Sequence, residues 1–289
     1  LIYLALRIPH LLDVARLATR VPDRFDPVGP LVLLNGPVPE PLAVAVLVLT
    51  LAVGVPAVVG WRWRLTGPVF ALGVLLVTSY RNSWGQIFHT ENLLVLHLGV
   101  LALSPAADAW SLDVRRRAAT SAAADRPAAR LRYGWPAQLM VVIVVVAYVL
   151  AGWAKLRASG PGWAGGDALR NLVAHDALRK ELVGSSASPL ARFVLSHGWL
   201  FPPMAVLSLV VELGAPVALL GGRVRVAWAA ATWIFHLGVL AVMGILFPYQ
   251  LTGVAFAAFV TTESLWRGAR ANLGTWTTRR TWRSASPAR

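Results

Sequence analysis

From Trp135 to Leu156 the chain runs for 22 residues with Lys155 as its one charged side chain. About 20 apolar residues rising about 1.5 Å each match the thickness of a bilayer's hydrocarbon, so this run reads as a membrane-crossing helix. Lipid offers no partner to backbone N–H and C=O groups, which confines such a chain to helices or a closed barrel. The remainder agrees with helices: 57% of the 289 residues are hydrophobic and 14% charged, a balance foreign to soluble domains. The expected fold is all-α, a polytopic transmembrane helical bundle.

Eight membrane segments can be drawn, at Leu1–Arg20, Pro41–Gly60, Thr66–Tyr80, Thr90–Pro105, Trp135–Leu156, Leu200–Gly221, Val226–Phe247 and Tyr249–Ser264. The basic connectors are Trp61–Arg64, Val114–Arg132, Gly222–Arg225 and the tail after Arg267, each following an even-numbered segment. Positive loops stay on the cytoplasmic side, so both termini are expected there. This placement assigns the net charge of +14 to topology rather than to nucleic-acid binding. The domains expected are a membrane domain over 1–264 and a basic cytoplasmic tail over 265–289. No cleavable signal segment stands out, and the opening Leu1 reads as an alternative or internal start. With no cysteine, disulfides, thiolate metal sites and cysteine nucleophiles are excluded.

On the opposite side lies the long connector Arg157–Trp199. There Asp167 can cap a helix running to about Val183, with Leu169, Leu172, Val173, Leu178 and Leu182 as an apolar stripe and Asp176 and Lys180 off it. Such a helix reads as lying on the outer bilayer surface.

Polar groups inside apolar segments carry the functional expectations, because an ionisable side chain in hydrocarbon is costly unless paired or used. Glu212 and His236 each lie twelve residues from Val224, so an antiparallel helix pair sets them at one depth, able to hydrogen-bond. The readings are a packing clamp on one hand and a proton relay or substrate contact on the other. His97 lies inside the fourth segment, with His89, Glu91 and Asn92 at its outer end. His89 and Glu91 alone are too few ligands for a metal site, so none is expected. Arg7, His10 and Asp13 recur every three residues as a polar stripe expected to face protein or water, with Asp13 or Glu212 open to neutralisation by Arg7. Only Lys155 and Lys180 are lysines among 27 basic residues, and an ammonium, unlike a guanidinium, can give up its proton when desolvated. Lys155 is therefore the leading candidate for chemistry, against snorkelling to headgroups. The ends carrying Lys155, Arg81, Trp84, His89 and Tyr249 all fall on the outer side, where Trp153, Trp163, Phe247 and Tyr249 can line a cavity.

Three motifs carry a resemblance. Tyr148-Val-Leu-Ala-Gly-Trp-Ala-Lys-Leu156 with Trp163-x-x-Gly166, Phe235-His236-Leu237 followed by Met243-Gly-Ile-Leu-Phe-Pro-Tyr249, and a polar-headed helix from His89 ending in Trp110-Ser-Leu-Asp113 resemble, in order and spacing, the vitamin K-dependent gamma-carboxylases and their bacterial HTTM (horizontally transferred transmembrane) relatives. The resemblance spans about residues 1 to 265. It implies that Lys155 takes the place of the lysine that deprotonates vitamin K hydroquinone, with His236 in the family's Phe-His motif and His89 within about one residue of an active-site histidine. Arg81, Glu91, His97, Glu212 and Tyr249 are then expected as a substrate-binding or structural polar cluster.

The implied cofactor is a reduced menaquinone or vitamin K-type quinol entering from the outer leaflet. The implied activity is a carboxylase or quinol-oxygenase-like lyase in a bacterial-type cytoplasmic membrane. A lysine desolvated at a helix mouth can serve there as a neutral base. The animal enzyme carries a large extramembrane domain where this chain has 25 basic-rich residues after Ser264, which speaks against carboxylation of peptide glutamate. Expected partners are membrane lipid and a secreted peptide, since bacterial relatives include proteins that mature secreted peptides. The alternative is a non-catalytic component for peptide maturation or lipid binding. A proton-coupled transporter ranks below it, because no inverted repeat is evident.

Overall fold

The computed structural model describes residues 1–109, 111–118 and 127–260, and among these the regular structure is entirely helical. The longer helices are α1 (Ile8–Ala15), α2 (Glu40–Val58), α3 (Trp63–Asn82), α4 (Asn92–Leu103), α5 (Pro127–Ser159), α6 (Asp167–Leu182), α7 (Pro189–Ser196), α8 (Phe201–Leu213) and α9 (Gly222–Met243). The chain divides into two compact units, the first comprising Leu1–Ala147 with Leu246–Tyr249 and the second Tyr148–Ile245 with the chain from Gln250 onward.

The first unit is organised by α2 packed along α3. Its core is Leu4, Leu11, Leu47, Phe70, Val74 and Val77. Gly73 faces the Thr50 side chain where a Cβ would collide, the small-residue device by which membrane helices approach closely. Asp113 fixes the start of α3: its two carboxylate oxygens accept the backbone N–H groups of Arg62 at 2.9 Å and Trp63 at 3.0 Å. A carboxylate there satisfies orphan donors and complements the helix dipole.

The second unit packs α6, α7, α8 and α9 around Val173, Ala191, Val194, Phe201 and Val242. Gly166 joins this core to the end of α5. Its φ is +87°, and a Cβ would lie 2.6 Å from the Phe201 and Pro202 backbone, so both conformation and space demand glycine.

By length and apolar composition, three stretches of the described residues can each cross a membrane: Glu40–Val58, Tyr133–Gly165 and Gly222–Met243. A fourth is possible if Pro189–Ser196 and Gly198–Leu213, bent by 97°, count together. Of the eight segments drawn from sequence, the third is one continuous helix, Trp63–Asn82, that is not apolar enough to count, and others are interrupted or short. The first segment breaks at Arg7 and Arg16 into short helices Ile2–Leu6, Ile8–Ala15 and Leu17–Arg20. The fourth shortens to the twelve residues of α4, about 18 Å at 1.5 Å per residue. The sixth stops as α-helix at Leu213 and continues as a 3-10 turn, Ala215–Leu220, because the Pro216 ring would clash with the Glu212 carbonyl in a continued helix. Residues 261–264 of the eighth segment, Trp110 of the third motif and the 265–289 tail lie outside the described residues.

Helix α6 spans the expected range with two corrections. Asp167 opens its first turn while Gly166 holds the N-cap position. The inward residues are Val173 and Asp176, whereas Leu172, Leu178 and Leu182 are exposed. Asp176 turns inward because Lys180 and Arg179 hold it at 2.7 and 2.9 Å. In the Arg7–His10–Asp13 stripe, expected to face protein or water, His10 and Asp13 are exposed and Asp13 pairs with Arg16 at 2.9 Å.

Candidate functional site

In the second unit, one face of α5 presents Tyr148, Gly152 and Lys155. Offsets of four and three residues stack them along a single stripe. Gly152 makes the stripe usable: a Cβ there would lie 2.8 Å from the Leu213 side chain and 3.1 Å from Glu212 Cβ. Its absence lets α8 seat Glu212 directly against α5. Lys155 Nζ then donates to Glu212 Oε1, the lysine side chain 22% exposed and the glutamate 5%. Glu212 Oε2 is buried and makes no hydrogen bond among the described residues. Aromatic faces complete the surroundings of the amine, with the Trp163 ring 5.3 Å and the Phe235 ring 5.8 Å from Nζ. Trp163 is itself buried and anchored through Nε1 to Ser208 Oγ at 3.2 Å.

Two turns earlier on α5, the Tyr148 hydroxyl lies 2.5 Å from His236 Nε2 on α9. The Trp228 ring meets Tyr148 edge-on at 5.3 Å and donates its Nε1–H to the Val211 carbonyl at 3.0 Å. The pairing expected between Glu212 and His236 is therefore replaced: Glu212 takes Lys155 as its hydrogen-bond donor, and His236 takes Tyr148. Their partners on α5 are seven residues apart, about 10 Å along the helix at 1.5 Å per residue, so the two residues meet α5 at different levels.

The first unit holds a separate set. Arg81 and Glu91 form an ion pair at 3.1 Å with both side chains 4% exposed. Tyr3 donates to Glu91, Arg81 donates to the Tyr3 oxygen at 3.3 Å, and the Arg81 guanidinium lies 4.0 Å over the Phe88 ring. His97 is enclosed, its Nδ1 2.8 Å from the Tyr249 hydroxyl and its Nε2 3.3 Å from the Met140 carbonyl. A neutral imidazole satisfies both contacts, accepting from Tyr249 and donating to Met140. His89 is exposed, its ring 5.5 Å from that of Phe247. Trp153, expected in a cavity wall, is 60% exposed. Among the described residues no group of three or more His, Asp or Glu is placed to hold a metal ion.

The structure thus joins Lys155 to Glu212, Arg81 to Glu91 and His97 to Tyr249 among the residues singled out from sequence. Tyr148, Gly152 and Tyr3 were given no role there. Tyr148 and Gly152 were detectable in principle, as the residues seven and three positions before Lys155 on one helical face. Tyr3 had no local signal, since its partner lies 88 residues away.

Comparison with known proteins gives one match: the family model described as HTTM domain covers residues 16–263. No curated protein and no solved structure matches the chain significantly.

Proposed function

The chain belongs to the HTTM domain family, and on that premise we propose that this integral membrane protein is a carboxylase-related enzyme using Lys155 as a base on a lipid quinol. The observation that carries the reading is the Lys155–Glu212 pair, a buried carboxylate bound to the amine through one oxygen only, between two aromatic rings. A quinol fits these residues. Its flat ring suits the Trp163 and Phe235 faces, and its hydroxyls are donors where Glu212 Oε2 is a buried acceptor with no donor among the described residues. When bound, the quinol supplies the acidic hydroxyl and the oxygen-coupled chemistry.

The side chains supply proton handling. In surroundings this apolar, an ammonium and a carboxylate relieve their desolvation by sharing or passing a proton. Transfer from Nζ to Glu212 leaves a neutral amine whose lone pair accepts a hydroxyl proton. His236, held by Tyr148, orients the second end of the stripe. His89, Arg81, Glu91, His97 and Tyr249 belong to this proposal as binding or structural groups.

The proposal extends to topology: eight membrane segments, termini in the cytoplasm of a bacterial-type cell, a membrane domain over 1–264 with a basic tail over 265–289, and α6 against the outer leaflet. The exposed leucines of α6 support that last placement. A secreted peptide is the proposed macromolecular partner.

Purified protein in nanodiscs, supplied with reduced naphthoquinone and oxygen, tests the chemistry. Quinone epoxide should form, and Lys155→Ala and Lys155→Arg should both abolish it, because a guanidinium stays charged. Turnover unchanged in both variants overturns the assignment. A second reading is favoured by the same ion pair: a non-catalytic membrane component in which Lys155 and Glu212 only clamp α5 to α8. It requires that replacing both by apolar residues preserves every cellular function of the protein.

A further inference from the structure

A cavity of about 260 Å³ lies within the first unit, between α1, α2, α3 and the turn Gly29–Leu33. Leu11, Val14, Leu47, Val77 and the Tyr80 ring form its buried floor, and Leu42, 52% exposed, stands at its edge. The wall's single hydroxyl, on Tyr80, is directed to the Val38 carbonyl at 3.3 Å, so the interior offers hydrocarbon alone. Voids of about 150 Å³ with such walls stay dry and take up benzene. Water is therefore not the natural occupant here, and an empty space would forfeit dispersion contacts along the whole wall. For a protein embedded in lipid, the abundant molecule of matching polarity is an acyl chain.

Where α1 and α2 meet beside this cavity, the polar side chains have a particular balance. Arg16 follows the lining residue Ala15, and Glu40 lies two residues before Leu42. The Arg16 guanidinium contacts Asp13 at 2.9 Å and Glu40 at 3.8 Å. All three side chains keep substantial solvent access, 47% for Arg16, 65% for Asp13 and 35% for Glu40. One cation between two carboxylates repels a purely anionic headgroup, and it matches a headgroup carrying both a phosphate and an ammonium. We propose that this cavity seats one acyl chain of a zwitterionic phospholipid, its phosphate toward Arg16 and its ammonium toward Asp13 and Glu40. The site is independent of the Lys155 chemistry.

The test uses the full chain in nanodiscs containing phosphatidylethanolamine with a photoreactive diazirine in mid-chain, followed by peptide mapping. Labelling should concentrate on the peptides bearing Leu11–Ala15 and Leu42–Leu47, severalfold above that at Val55 and Val58, which are 56% and 66% exposed and report ordinary lipid contact. Ala43→Phe, which fills the cavity from its wall, should abolish the excess. If that variant fails to assemble, Val46→Phe fills the same space from the next turn. Excess unlabelled phosphatidylethanolamine should compete, and phosphatidylglycerol should compete less well. Labelling equal to that at Val55 and Val58 overturns the proposal. So does preference for a phosphatidylglycerol or quinone-tail probe. A raised Tm in Ala43→Phe with labelling unchanged would show a void rather than a lipid site, and would overturn it as well.

Discussion

Glu212 binds Lys155 through one carboxylate oxygen and keeps the other buried without a hydrogen bond among the described residues. A purely structural ion pair gains most when both oxygens are satisfied. This one holds acceptor capacity in reserve beside an amine, the arrangement expected where a donor from elsewhere completes the site.

The pair should reveal itself in stability. Lys155→Ala leaves a buried carboxylate with no cation and should cost about 3 kcal/mol, the lower end of the range for breaking buried pairs, because the lysine side chain is 22% exposed. Lys155→Met combined with Glu212→Leu removes both charges and should recover most of that loss. Thermal unfolding in nanodiscs measures both, and a double variant no more stable than the single one would deny the coupling.

Tyr148→Phe deletes the hydroxyl 2.5 Å from His236 Nε2 while keeping the ring against Trp228. The loss should be about 1–3 kcal/mol, the range for leaving a buried polar group unsatisfied. A double-mutant cycle with His236→Phe should give a coupling of at least about 0.5 kcal/mol. Additive effects would mean that the two groups do not depend on one another.

Gly152 is the most sensitive position on the α5 stripe. Gly152→Ala meets Leu213 Cγ at 2.8 Å and presses Glu212 Cβ at 3.1 Å, so α8 must give by a few tenths of an ångström and a moderate effect is expected. Gly152→Val adds two methyls beyond that Cβ, so Leu213 and Glu212 must both move further. It should destabilise by about 1–3 kcal/mol and lower any Lys155-dependent activity further than Gly152→Ala does. Equal activity in the two variants would remove Gly152 from the site's construction.

These positions show why the sequence was informative about some things and silent on others. Long apolar runs made α2, α5 and α9 visible, because uninterrupted hydrophobicity is a local property. The interruptions were not legible: Arg7 and Arg16 were accepted inside one apolar run, and Pro216 was not given its power to end an α-helix. Glu212 and His236 were expected at one depth from equal distance to the turn, a count that assumes continuous α-helix, whereas α8 ends at Leu213 and continues as a 3-10 turn. Their partners were not legible, since rotation about the helix axis depends on how Gly152 lets α8 approach. The Tyr3–Glu91–Arg81 set joins residues distant in sequence, and no spacing rule reaches that far.

Asp176 supplies a pH test outside the membrane segments. Burial by itself pushes its carboxyl up, but hydrogen bonds and charge from Lys180 and Arg179 outweigh that and hold it below the ordinary carboxylate range. A depressed folded value means that the carboxylate's stabilising contribution is fully present above the unfolded value and fades as pH falls through the folded one. Arg179 is 48% exposed and Lys180 18%, so solvent screens the first contact more than the second. Lys180 also donates to the Met243 carbonyl at the end of α9, so the same ammonium ties α6 to α9. Asp176→Asn should therefore lower Tm at about pH 7, and the gap from the native chain should narrow as pH falls below about 4, where the unfolded chain's carboxyl begins to take up a proton while the folded one is still ionised. Lys180→Gln should lower Tm at both ends of that range, because the Met243 contact does not depend on the carboxylate's charge. A gap between native and Asp176→Asn proteins that stays constant with pH would show that the carboxylate's charge contributes nothing to holding α6 in place.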